Sequence, residues 1–160
     1  MRMRNVFVGE QKMNIEIRKI DAESAKYAAE LEKLCFAEPW SEKAIMEEAE
    51  RGYFIAAFID GAFAGYAGMT QVLDERDICN VATVPEFRGK GVGRAIVEAL
   101  IENARETGAS VVMLEVRASN KAAITLYEQA GFSLVGKRKN FYSFPREDAL
   151  LYNYYIEQNT

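Results

Sequence analysis

Six residues, Arg88-Gly-Lys-Gly-Val-Gly93, constrain this 160-residue chain more than any other stretch. They follow a strand-like run, Asp77–Val84, that ends at Pro85, and they lead into an amphipathic segment predicted as a helix over Val92–Thr107. Gly108 closes that helix. Glycines between a strand and a helix let backbone approach a ligand closely. The helix start then offers unpaired N–H groups suited to phosphate oxygens. Arg88, Lys90 and Arg94 add positive charge at the same place.

Two familiar phosphate motifs fail on spelling. A Walker loop needs Ser or Thr after its Gly-Lys, and Lys90 is followed by Gly91. A dinucleotide fingerprint needs a third glycine where Arg94 stands. What remains is Arg-x-x-Gly-x-Gly, with a plain turn into a helix as the competing reading.

The rest of the chain predicts one α/β (α+β) domain. Residues 1–12 read as an extension, expected to be flexible, and 13–160 as the domain itself. Met13 opens an alternating run that predicts a first strand. Asp21 caps a helix over Ala22–Phe36, Pro39 stops it, and Ser41 caps a second helix reaching about Arg51. Tyr53–Ile59 and Ala62–Leu73 are strands joined by Asp60-Gly61, a strong hairpin signal. After the glycine loop and its helix come a strand over Val111–Val116 and a helix capped near Ser119/Asn120 that reaches Ala130-Gly131. Strands over Phe132–Lys139 and Ala149–Ile156 finish the chain. Hairpins first, then strands alternating with helices, imply a mixed sheet with helices on its faces.

Glu115 stands out within Val111-Val-Met-Leu-Glu-Val116. A strand this apolar is expected to be covered on both faces, where an ionised carboxylate is costly unless paired or useful. Glu115 is therefore a candidate general base, the alternative being a salt bridge with Arg117 on the same strand face. Tyr127 lies on the next helix in a stripe with Ala123 and Ala130. It is either a core aromatic or a phenol placed to act as an acid. Asn120 is a helix cap that can also lie beside a cofactor.

Composition narrows the chemistry. There is no histidine, which excludes Ser-His-Asp and Cys-His machinery and the usual His-based zinc sites. Cys35 and Cys79 lie far apart, with no metal-ligand spacing, so no metal is expected. A net charge of −4 argues against a nucleic-acid partner and suits a cationic one. No apolar run approaches the roughly 18 residues of a membrane span, and no secretory signal is evident. The cytoplasm is the expected compartment.

Taken together, these stretches resemble the GNAT acetyltransferase family, and within it the ribosomal-protein-alanine N-acetyltransferases of RimI type. The likeness runs from about Asn14 to Ile156. It is most specific in Leu114-Glu-Val-Arg-Ala-Ser-Asn-Lys-Ala-Ala-Ile-Thr-Leu-Tyr-Glu-Gln-Ala-Gly-Phe132. Pro39-Trp-Ser41, Asn80-Val-Ala82, the Arg88–Gly93 loop and Glu147-Asp-Ala149 support it.

The resemblance implies a mostly antiparallel mixed sheet of about seven strands, splayed in the middle, and acetyl-CoA as donor with no metal. It implies Glu115 as base and Tyr127 as acid. Val81, Ala82 and Thr83 would bind the acetyl and pantetheine portion, with N–H groups near Ala82 and Thr83 steadying the carbonyl oxygen. Arg88, Gly89, Lys90, Gly91, Val92, Gly93 and Arg94 would hold the pyrophosphate, and Asn120 would touch the cofactor. Phe36, Trp40 and Tyr142 would border the acceptor. That acceptor is expected to be an N-terminal alanine of a small-subunit ribosomal protein. Other amines (a lysine side chain, a polyamine, an aminoglycoside) or a non-enzymatic acetyl-CoA sensor are the alternatives. Thr83-Val84 departs from the family's more usual Val-Asp, a change that backbone contacts tolerate.

Overall fold

Asp60 and Gly61, at φ of 49° and 83°, make the two-residue turn that joins β3 (Tyr53–Ile59) to β4 (Ala62–Val72). Positive φ at both central residues matches the right-handed twist of the flanking strands, which is why Asp-Gly works there. Around this hairpin the computed structural model describes residues 2–8 and 11–157, with side chains from Asn14 onward. The elements before it are β1 (Arg2–Val8), β2 (Gln11–Lys19), α1 (Ala22–Cys35) and α2 (Glu42–Ala49). Those after it are β5 (Glu75–Thr83), α3 (Val92–Glu106), β6 (Val111–Arg117), α4 (Lys121–Ala130), β7 (Ser133–Tyr142) and β8 (Glu147–Tyr155).

One sheet takes all eight strands in the order β1-β2-β3-β4-β5-β6-β8-β7. Neighbours are antiparallel except β5 and β6, which are parallel. The expected seven strands are β2 to β8. The eighth, β1, lies within residues 1–12 and pairs with β2 from Arg2↔Ile17 to Val8↔Gln11. Met1, Gly9, Glu10 and the last three residues fall outside the described residues.

The helices divide between the two sheet faces. On β3, Ile55, Ala57 and Ile59 join the core under α3 and α4, while Phe54 joins the core under α1 and α2. That split follows from the two-residue period of a strand. Asp21 and Ser24 cap α1 reciprocally, each side chain accepting the other's backbone N–H, and Ser41 caps α2 through Ala44 N–H. Leu31, Ala28 and Ala25 form the buried stripe of α1.

β5 and β6 pair only from Glu75↔Val111 to Ile78↔Leu114 and then part. The cause lies on the other side of β5. Its pairing with β4 passes from Met69↔Ile78 to Ala67↔Val81, so Cys79 and Asn80 together face Gly68. Such a bulge bends its strand and raises the local twist. The gap between β5 and β6 beyond the bulge is where the cavity opens.

Candidate active site

Burial along β6 alternates. Val112, Leu114 and Val116 pack into the core under α3 and α4, while Met113, Glu115 and Arg117 are half-buried. This corrects the expectation of a strand covered on both faces. The opposite face of β6 looks into the gap left by β5, so Glu115 borders a cavity and not a second core. The alternative reading, a salt bridge with Arg117, is not what forms. Glu115 Oε1 lies 3.5 Å from Arg138 Nε on β7. Arg117 is engaged by Glu147 at 3.3 Å, donates to the Ser143 and Pro145 carbonyls, and lies over the Tyr142 ring at 4.4 Å.

The cavity has a volume of about 620 Å³. It brings together Glu115, Tyr127, Val81, Asn120, Phe36, Trp40 and Tyr142, residues drawn from β6, α4, β5, β7 and the α1–α2 loop. Ala82, Thr83 and Arg88 to Arg94 do not line it. Tyr127 is 7% exposed, and its ring meets Phe132 edge-on at 5.7 Å. It is thus both a core aromatic and a cavity wall. Burial pushes its phenol well above the ordinary range, with Tyr142 adding to the rise, so it stays protonated at neutral pH. Asn120 does cap α4, its side chain accepting Ala123 N–H at 3.2 Å, while also facing the cavity.

On the donor side, Val84 N–H donates to Ala64 O, so strand alternation turns the Ala82 N–H toward β4 as well. Val81 and Thr83 therefore present their N–H groups toward the gap. The expected pair near Ala82 and Thr83 becomes Val81 and Thr83, with the Ala82 side chain buried under α1 and α2. In the glycine loop, Gly89 and Gly91 adopt φ of 76° and 83°, and Gly91 is the residue from which α3 starts. Gly93 serves packing instead, since a Cβ there would stand 3.1 Å from Leu126 on α4. The Val92 side chain is 1% exposed, so only its backbone can face a ligand. Arg94 pairs with Glu98 at 2.8 Å, and Arg88 donates to Cys35 Sγ at 3.7 Å.

Three residues absent from the sequence-based expectations matter to the site. Glu32 is fully buried on α1. It accepts from Tyr66 Oη on β4, from Asn80 Nδ2 in the β5 bulge at 2.7 Å, and from the Trp40 backbone N–H. Burial raises its carboxyl above the usual range, and these three donors oppose the rise. Glu32 thereby ties the bulge to the loop that carries Trp40. Its spacing from Ala25, Ala28 and Ala29 placed it on the buried stripe, a signal visible in the sequence. Asp77 lines the cavity from β5, and burial and the neighbouring Glu115 raise its carboxyl while Arg138 opposes them. Arg138 itself had no local signal, because its meeting with Glu115 depends on β7 lying beside β8 and β8 beside β6.

Cys79 also lines the cavity, but burial pushes its thiol up to about 12, with Asp77 adding to the rise. At neutral pH it is a thiol and a poor nucleophile. No cluster of three or more His, Cys, Asp or Glu side chains among the described residues could hold a metal ion. No helix among them is long and apolar enough to cross a membrane.

A mixed sheet parted beside a glycine turn and a helix start defines an acyltransferase that takes its acyl group from a coenzyme A thioester. Backbone N–H groups line the parting, and the glycine turn leads into the start of α3. The chain belongs to the GNAT acetyltransferase family, whose pattern residues 21–132 match, and is an acetyl-CoA-dependent N-acetyltransferase. It is 37% identical over 138 residues to the [ribosomal protein bS18]-alanine N-acetyltransferase of Escherichia coli, covering 84% of this chain and 93% of that protein. It is 32% identical over 143 residues to the N-alpha-acetyltransferase RimI of Mycobacterium tuberculosis, covering 84% and 89%. The crystal structure of the ribosomal-protein-S18-alanine N-acetyltransferase from Escherichia coli superposes with a TM-score of 0.83 at 35% identity, covering 91% of this chain and 96% of that one.

Proposed function

We propose that this chain acetylates the α-amine of an N-terminal alanine, that of ribosomal protein bS18, by direct transfer from acetyl-CoA, and that it does so in the cytoplasm. The observation that carries the reading is that Glu115, Tyr127, the β5 bulge and the rings of Phe36, Trp40 and Tyr142 converge on one cavity. The names of the relatives at 37% and 32% identity point the same way. Residues 13–160 form the catalytic domain, with 1–12 an extension to it.

Acetyl-CoA supplies an activated acetyl group. The N–H groups of Val81 and Thr83 face the gap where the thioester carbonyl is held, and they stabilise negative charge that develops on its oxygen. The backbone of Gly89 to Gly93 and the start of α3 receive the pyrophosphate, with Lys90, Arg88 and Arg94 nearby and Asn120 at the other wall. Glu115 takes a proton from the acceptor ammonium, whose ordinary pKa of about 7.7–8.0 makes this an easy transfer. Tyr127, held protonated by burial, donates to the departing thiolate. Phe36, Trp40 and Tyr142 frame the acceptor and exclude water. Holding both substrates in one cavity supplies much of the rate. With Cys79 kept as a thiol, the acetyl group passes straight to the amine.

The test is incubation with acetyl-CoA and three peptides read by tandem mass spectrometry. One begins with free alanine in the bS18 sequence, one is the same peptide N-acetylated, and one carries an internal lysine behind a blocked N-terminus. One acetyl group on the free α-amine alone is expected. Glu115→Gln and Tyr127→Phe should each lower kcat by about 10²- to 10⁴-fold with acetyl-CoA affinity retained. Wild-type turnover in either variant removes that residue from the chemistry, and acetylation of the lysine peptide overturns the acceptor.

A further inference from the structure

Glu115 faces charged and titratable groups from every element around it. Asp77 and Cys79 come from β5, Arg117 from β6 itself, Arg138 and Tyr142 from β7, Glu147 from β8 and Tyr127 from α4. Arg117 is spoken for, held between Glu147 and the face of Tyr142. Arg138 is different. It pairs with Glu115 at 3.5 Å and its charge also reaches Asp77, yet its side chain is 58% exposed against 33% for Glu115. The carboxylate lies on the cavity side of the pair and the guanidinium on the solvent side. A cation thus already pairs, from the solvent side, with the carboxylate to which the acceptor's ammonium must come.

We propose that Arg138 is a displaceable counter-ion of the acceptor subsite, whose pairing with Glu115 a cationic amine takes over on binding between Glu115 and Asp77. The inference rests on the reading of Glu115 as the base. Displacement costs little because half-exposed pairs hold weakly and are screened by salt. Arg138 keeps a second contact when the pair breaks, since its guanidinium carbon already lies over the Phe141 ring, 5.6 Å from the centroid. The edge strand β7 leaves that side open to solvent.

Once the guanidinium turns away, two carboxylates face the entering ammonium. The arrangement discriminates against neutral acceptors, which cannot replace a cation between two carboxylates. Asp77 becomes a specificity residue that contacts the acceptor, and Arg138 a positioning residue that acts through Glu115.

The test is steady-state kinetics of the full chain with acetyl-CoA and a peptide bearing a free N-terminal alanine. Arg138→Gln, Asp77→Asn and Glu115→Gln are compared with wild type. Arg138→Gln should lower the peptide KM about two- to fivefold, the range for an exposed ion pair, with the acetyl-CoA KM unchanged. Asp77→Asn should raise the peptide KM. A peptide KM that rises or stays put in Arg138→Gln overturns the proposal. Loss of turnover in Glu115→Gln alongside such a result confines the failure to the counter-ion. Full turnover in Glu115→Gln overturns the base and the counter-ion together.

Discussion

Replacing Gly68 with alanine should damage stability and acceptor binding together, and the size of the effect can be worked from the packing. Gly68, on β4, sits opposite the two-residue bulge of β5. A Cβ on it would lie 2.2, 2.6 and 2.7 Å from three carbons of the Phe54 ring, closer than real Cβ contacts come. The ring must retreat by most of an ångström. Phe54 is 2% exposed, and its ring packs against that of Trp40, with centroids 5.9 Å apart. Over-packing of a filled core costs about 1–3 kcal/mol. For a chain of this size that corresponds to a fall in Tm of roughly 3–10 °C. Because Trp40 lines the cavity, the displaced ring should also raise the peptide KM while leaving the acetyl-CoA KM nearly unchanged. Thermal unfolding by circular dichroism supplies the first number and steady-state kinetics the second. A double-mutant cycle tests the cause. Phe54→Leu removes the ring that is struck, so Gly68→Ala should cost at least about 1 kcal/mol less in that background. A wild-type Tm for Gly68→Ala, or full additivity with Phe54→Leu, would refute the reasoning.

Two further outcomes follow from the backbone and from burial. Gly91→Ala forces an L-residue to φ of 83° at the start of α3, which costs roughly 1–2 kcal/mol, and should raise the acetyl-CoA KM. Gly61→Ala, at the same φ in a distant hairpin with open space around it, should lose similar stability with both KM values intact, and equal kinetic effects in the two variants would refute a phosphate role for the loop. Glu32 should leave a signature in the pH dependence of stability. Its folded pKa is raised, so its contribution is fully present below the unfolded value of about 4.3 and is lost as pH rises through the folded value. Glu32→Gln should flatten that part of the curve in urea melts between pH 4 and 8, and an unchanged slope would show that Glu32 does not titrate there.

Local rules were enough for most of the frame. Asp60-Gly61 carries its own turn chemistry, Asp21 and Ser41 carry their caps, and Gly108 and Gly131 both take the positive φ that ends a helix. Each such signal lies within a few residues of the structure it specifies. The misjudged points all depend on what a strand lies beside. Val111–Val116 is apolar enough to suggest cover on both faces, yet one face of β6 borders a gap, because a bulge in β5 bends the neighbouring strand away. Nothing in the β6 segment itself records that bulge. The same holds for charge. Arg117 is two residues from Glu115 and on its face, but β8 delivers Glu147 to Arg117 and β7 delivers Arg138 to Glu115. Arg138 reaches Glu115 over the intervening β8, two strand spacings of about 4.8 Å each, a span that its long side chain covers and that no pattern along β6 records.

Glu32 is the instructive intermediate case. Its position on the α1 stripe was readable, and a carboxylate on a buried stripe requires donors. The identity of those donors was not readable, since Tyr66, Asn80 and the Trp40 N–H come from three separate segments. A buried polar residue in an otherwise apolar pattern thus marks a meeting point before its partners are known. In this chain that point joins the bulge beside the donor strand to the wall of the acceptor cavity. A change at Glu32 should therefore disturb both substrates at once, whereas a change at Arg138 should disturb only one.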